Sequence, residues 1–368
     1  MITRRGFISA SALPLALLGA AAFAASESIR DDYQAAVARI WRPAAGRILD
    51  RAMTLREIVR LATLAPSSHN TQCWRFAATA DGVSIGPDPT RRCPVVDPDD
   101  HHLFVSLGCA VENLAHAALA HGLKATVRFD AARSDTIEVT LEPTPASRTP
   151  LFEAITERQS TRAPFDGVAL TIEELRQLSD AGTGTGIHVL LLTDPPSIER
   201  VLAWIVEANT LQMRDPAFAR ELKKWIRFDD GQAVRSGDGL STRTSGNPSV
   251  PRWLASPLFD LFYRPKSEAD KYAIQLRSSA GIAIFVSDVS DKAGWIEAGR
   301  CYERFALQAT AMGIRNAFLN QPIEVADLRP RFADAFGLGP HRPELIARFG
   351  RGPLMPRSLR RPLDAVLT

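Results

Sequence analysis

Cysteine is scarce in this 368-residue chain, and its placement excludes more than its number does. Cys73, Cys93, Cys109 and Cys301 stand too far apart for Cys-x-x-Cys metal chemistry, and a chain of this size needs no disulfide framework. A single bridge is left open. Charge of one sign is also lacking: the formal net charge is +3, and two of the 44 basic residues but none of the 41 acidic ones lie in the first 25 positions. A mature chain so close to neutral has no global attraction for nucleic acid or anionic membrane. His101-His102 is the one adjacent histidine pair, and no further His, Cys or carboxylate stands beside it at ligand spacing, so no metal is expected. What remains is an apolar content of 45%, enough for a sizeable core in one large domain or two ordinary ones.

The first residues carry an address. Thr3-Arg4-Arg5-Gly6-Phe7-Ile8 is a twin-arginine pattern, followed by an Ala- and Leu-rich run to about Ala25, with Ala22-Phe23-Ala24 as a cleavage site. Residues 1–25 therefore read as a twin-arginine signal peptide, and the folded protein as periplasmic or otherwise exported. Left uncleaved, the run would be just long enough to anchor the chain in a bilayer; once it is cleaved, no stable membrane insertion is expected. The twin-arginine machinery carries folded cargo, often with a cofactor aboard, so the signal favours a cofactor-bound protein without saying which.

Beyond the leader, the chain reads as two similar halves. Helices are expected from Asp31 to Ile48 and from Met53 to Leu64, the second opened by a capping box of Thr54 and Glu57. Thr171 and Glu174 open a helix of the same kind 117 positions later. A longer match pairs Gly108–Lys124 with Gly299–Arg315 without a gap, setting Gly108, Glu112, Ala115, Ala118, Ala120 and Gly122 on identical residues at an offset of 191. Both segments put small and apolar side chains on one face and end at glycine. The second half must then hold extra chain between its two matching helices. The Gly-, Pro- and Ser-interleaved stretch from about 211 to 270 fits, and its Trp225, Trp253, Phe259, Phe262 and Tyr263 need something to cover. Strands are expected at Trp74–Thr79, Lys124–Phe129, Thr136–Glu142, Ile187–Leu192, Ile282–Ser287 and Leu345–Phe349. Without a regular strand-helix-strand rhythm, the class is α+β.

Three motifs carry chemistry. Pro66-Ser67-Ser68-His69-Asn70-Thr71-Gln72-Cys73-Trp74 sets short polar side chains between a helix and a strand, where they can bond a flat heterocycle or merely their own backbone. Arg158-Gln159-Ser160-Thr161-Arg162 places two guanidinium groups around a hydroxyl, a phosphate clamp or a solvated basic turn. Arg360-Arg361 lie in a basic tail. Together these runs resemble the FMN-dependent nitroreductase family, and more narrowly its internally duplicated, twin-arginine-exported, lidded subgroup associated with dormancy. Cys73 departs from that pattern, which has Pro there.

The resemblance implies a nitroreductase-like fold whose halves, 26–148 and 149–368, form an intramolecular pseudo-dimer with a lid inserted at about 211–270. It implies FMN lying along Pro66, Ser67, Ser68, Asn70 and Gln72. The phosphate falls to Arg158, Ser160 and Arg162, with Arg360 and Arg361 reaching back to it, while Asn320 and Gln321 lie near flavin N5. Applying the 117 offset to the clamp lands on Trp41, Pro43 and Ala45, and applying it to Ser67 and Ser68 lands on Gly184 and Thr185, so one composite site survives and its twin is lost. The implied function is an FMN-dependent oxidoreductase that passes hydride or electrons to a small-molecule electron acceptor, with no catalytic side chain required. A monomeric pseudo-dimer is expected. Nicotinamide cofactors are cytoplasmic and a lid would block their stacking, which keeps open a second reading: a flavin-storing protein without turnover.

Overall fold

The computed structural model describes residues 29–46, 48 and 50–368, the side chains at 260–262 excepted. The signal-peptide expectation for residues 1–25 lies outside these residues. Helix α1 covers 29–40 and stops well before Ile48, because Arg42 precedes Pro43 and a residue before proline is pushed out of the helical region. Helix α2 (Arg51–Ala62) begins earlier than expected: Asp50 is its N-cap, accepting from the Met53 amide, while Thr54 sits inside the first turn and donates back to the Asp50 carbonyl. The Thr171–Glu174 capping box is present as read, at the start of α5.

The first half continues with β1 (Trp74–Ala78), β2 (Gly82–Pro87), α3 (His101–Ala120), β3 (Leu123–Phe129) and β4 (Ile137–Pro143), then α4 (Pro150–Ala154) leads across. The second half runs α5 (Ile172–Gly182), β5 (Ile187–Leu192), then α6 (Pro195–Arg214), α7 (Pro216–Trp225), β6 (Ile226–Arg227), α8 (Asp230–Ser236), β7 (Leu240–Ser241), α9 (Arg252–Phe262) and α10 (Pro265–Arg277). It closes with β8 (Gly281–Ser287), α11 (Lys292–Ala311), β9 (Arg315–Phe318), α12 (Gln321–Glu324), α13 (Leu328–Ala335) and β10 (Arg342–Gly350). The expected strands recur within a few residues, whereas β2 and β9 escaped a sequence reading because one carries two glycines and the other is four residues long.

The α+β class holds, and the topology repeats. The first sheet is ordered β1-β2-β4-β3 and the second β5-β8-β10-β9, every neighbouring pair antiparallel in both. Superposing the orders sets α2 on α5, α3 on α11, β3 on β9 and β4 on β10. The halves differ in what joins equivalent strands. A three-residue turn links β1 to β2, whereas 193–280 separate β5 from β8, so the extra chain is longer than the 211–270 expected and includes α6 and α10.

Helices α3 and α11 cross at the matched glycines. A Cβ on Gly108 would lie 2.0 Å from the Ile296 carbonyl oxygen, and a Cβ on Gly299 would lie 2.0 Å from that of Val105. Val105 and Ile296 are themselves an equivalent pair, so the contact is reciprocal, as in a twofold interface. The helices end alike at Gly122 and Gly313, with φ of 79° and 72°. Helix α3 is long and apolar enough to cross a membrane, yet most of it is buried inside the protein. One hydrophobic core runs through α2, α3, α11 and the inner faces of both sheets, while a second packs α6 and α10 on the outer face of the second sheet through Ile198, Val201, Ile205 and Leu276. The chain then returns to the first half: Phe76 donates to the Val366 carbonyl and accepts from Thr368, adding the C-terminus to the edge of β1.

Candidate functional site

The Ser67–Gln72 turn is strained. His69, Asn70 and Gln72 have φ of 48°, 52° and 53°, a left-handed conformation that costs a non-glycine residue about 1–2 kcal/mol. Hydrogen bonds hold it there. The Ser67 hydroxyl accepts from the Gln72 amide, Asn70 Nδ2 donates to the Gly239 and Leu359 carbonyls, and the Gly239 amide donates to the Asn70 carbonyl. Gln72 donates to the Gly237 carbonyl and accepts from the Arg361 amide. The turn is thus a joint between the first half, the insert and the tail.

That joint opens on a cavity of about 730 Å³. From the first half, Pro66, Ser67, Ser68 and Asn70 line it; from the second come Arg158, Ser160, Arg162, Asn320, Gln321 and Arg360. Ten of the twelve candidate residues thus line this cavity. Gln72 and Arg361 do not. Gln72 is fully buried within the joint, and the Arg361 guanidinium turns to the Ala365 carbonyl and lies 3.7 Å from Asp88.

The arginines differ in what they can still do. Arg360 is spent: its guanidinium donates to the carbonyls of Thr63, Leu64, Ala65 and Leu359, to the Ser358 hydroxyl and to Asn70 Oδ1. It caps the C-terminal end of α2, where a cation meets the negative pole of the helix, and does not reach out for a phosphate. Arg158 donates to the Leu64 carbonyl and lies 3.1 Å from Glu303 on α11, whose carboxyl burial pushes up to about 6 against the pull of Arg158. Arg162 is held by its backbone alone. Gln275 donates to its carbonyl, and the buried Arg348 donates to the carbonyls of Thr161 and Ala163 on either side. Among the described residues its guanidinium has no hydrogen-bond or ion-pair partner, and burial lowers its pKa.

Asn320 and Gln321 open α12 rather than lying in a loop, and their roles separate. Asn320 Oδ1 accepts from the Ile346 amide, pinning α12 to β10. Gln321 Nε2 donates to the Tyr272 hydroxyl, leaving its Oε1 buried with no partner. The insert roofs the cavity with Phe228, Phe259, Tyr263 and Tyr272, and Phe259 stacks on Tyr263 at 4.5 Å. Trp253 faces solvent and Trp225 packs with Phe218 and Val96, so neither is a roof residue.

His69 lines the wall, its pKa pushed down to about 4 by burial and then by Arg162 and His102. All four cysteines are free and buried. His101 and His102 are joined by Asp97, the ligand-type atoms lying within 4.8 Å of one another, so that, contrary to expectation, a carboxylate four residues before His101 does stand at ligand spacing. Both Asp97 oxygens accept α3 amides, from His102 and Leu103, and Glu344 lies 2.5 Å from His101 Nε2. Helix capping accounts for the Asp97 contacts, and burial holds His101 neutral, so its contact with Glu344 is not an ion pair.

No family model matches the chain. It is 26% identical over 327 residues to a Mycobacterium tuberculosis protein provisionally named an NAD(P)H nitroreductase, covering 86% of this chain and 91% of that relative. A second M. tuberculosis protein given that name, acg, is 23% identical over 323 residues, covering 85% and 94%. Among solved structures, an FMN-bound nitroreductase from Desulfitobacterium hafniense aligns with a TM-score of 0.38 at 14% identity, over 60% of this chain and 98% of that one. Its counterpart from Bacteroides fragilis gives 0.37 at 14%, over 58% and 95%. By sequence, then, the chain is similar to proteins named as NAD(P)H nitroreductases.

Proposed function

We propose that the chain is an exported FMN-dependent oxidoreductase, passing hydride or electrons to a small electron-poor acceptor through one composite site. The observation that carries this reading is Arg162, a cation without a partner among the described residues, fixed by its backbone on the wall of a roofed cavity. Arg162 is half-buried on that wall, and a phosphate offering paired oxygens would give its guanidinium charge-assisted bonds. Arg162 and Ser160 would hold the phosphate. Pro66, Ser67, Ser68 and Asn70 would lie along the ring, and Gln321 Oε1 is a buried acceptor awaiting an N–H. FMN would supply the redox chemistry once bound.

This chain's own residues do the rest. The roof of Phe228, Phe259 and Tyr263 excludes water, while Arg158 and Arg360, fixed by other bonds, add positive potential that favours negative charge in the site. A single site is supported by the counterpart turn before β5. There a Cβ on Gly184 would meet Cys301 Sγ at 2.5 Å and Glu297 Oε1 at 2.8 Å, so that turn is packed shut against α11. The same pairing of halves supports a monomer, and the twin-arginine leader supports export.

The test is a visible absorption spectrum of the purified mature protein, with the released chromophore identified by mass. About one FMN per chain is expected; a colourless protein that also refuses added FMN overturns the reading.

A further inference from the structure

The cavity wall is not uniformly basic. Where α6, α10 and α12 meet, it carries Glu324, Glu268 and Lys271. Glu268 and Lys271 lie 3.6 Å apart and offset each other. Glu324 has no ion pair among the described residues; one hydrogen bond, from Gln212 Nε2 at 2.7 Å, reaches its carboxylate. Around it stand His102 of α3 with Asp97 before it, Tyr263 just past α9, Tyr272 of α10, and Arg329 of α13. Arg329 is engaged elsewhere, donating to the Ile323 carbonyl and lying 3.7 Å from Asp99. His102 lines the same wall at 5% exposure, and its Nε2 is buried without a partner. Burial lowers the His102 pKa and raises that of Glu324, so the wall holds acceptors in excess and lacks a positive charge.

We infer that this wall is a subsite for a small flat cation bearing N–H donors, of the amidinium or protonated N-heteroaromatic class, with Glu324 as counter-ion and His102 as a second acceptor. A cation donates to both acceptors and neutralises the carboxylate, whereas a neutral isostere only donates and an anion is repelled. The inference names the acceptor class for the function proposed above and rests on that reading for turnover, but not for binding.

The probes are benzamidine, benzamide and benzoate, flat molecules of one size that differ in charge, titrated calorimetrically into the mature protein as purified, its flavin content read from the spectrum of the same sample. Benzamidine binds at least about tenfold tighter than benzamide, and Glu324→Gln, which keeps the size and the Gln212 contact, brings the two together. In the unmodified protein the same preference shrinks as pH falls and Glu324 takes up a proton, benzamidine staying charged throughout. Equal affinity for benzamidine and benzamide, a preference that survives Glu324→Gln, or a pH-independent preference overturns the subsite. A colourless sample that also refuses added FMN sinks the FMN reading instead, and leaves the benzamidine comparison to stand or fall alone.

Discussion

Arginines that look alike in sequence diverge in what their loss should do. Arg162→Met removes a side chain with no partner among the described residues, so the fold should persist while FMN affinity, read by fluorescence quenching, falls about ten- to hundredfold. Arg158→Met strands the buried Glu303 carboxylate and should instead cost about 3–5 kcal/mol in urea unfolding. Chain order announces the Arg-x-Ser-x-Arg clamp but not this split. Arg158 and Arg360 both donate to backbone carbonyls at the end of α2, which leave no mark in side-chain identity. Gln72 was legible as a polar turn residue for the same reason that its job was not: an amide bonds a cofactor or a neighbouring loop with equal ease. Glu344 adds a pH signature. Burial first, against the pull of Arg342, raises its carboxyl to about 7, above its unfolded value, so the folded state binds the extra proton and this group costs stability as pH rises from about 4.5 to 7. Relative to the parent, Glu344→Gln should therefore gain melting temperature between pH 5 and pH 8; a difference that stays constant over that range would refute the assignment.

At the level of elements, the decisive contact is the crossing of α3 and α11. Gly108→Ala and Gly299→Ala each drive a methyl into a backbone carbonyl, so each should destabilise by roughly 3 kcal/mol or more and by similar amounts in chemical denaturation. Gly313→Ala meets nothing within 4 Å and should cost only the left-handed penalty, about 1 kcal/mol. The matched glycines were visible in the sequence as an alignment; that they touch one another was not, since an offset says which positions are equivalent and not which lie on the axis. The insert was likewise visible as a change in composition around 211–270, but its true limits were hidden because α6 and α10 are ordinary amphipathic helices packed on the second sheet. Its roof can be opened locally: Phe259→Ala with Tyr263→Ala should raise iodide quenching of bound flavin while leaving the core intact.

For the whole molecule, the C-terminal tail is the strap that makes two halves one body. It caps α2 through Arg360, supports Asn70 and Gln72, covers α1 where Tyr33 and Trp41 donate to the carbonyls of Arg357 and Ser358, and ends as a strand on β1. Truncation after residue 356 should lower the melting temperature and release flavin together, rather than weaken cofactor binding alone. The reciprocal glycine contact has one more consequence. Where two identical subunits meet about a twofold axis, every substitution is imposed twice. Joined in a single chain, the halves accept substitutions one at a time, so one can keep the Ser-Ser-x-Asn turn while its twin closes up, and one can grow a roof that the other never carries.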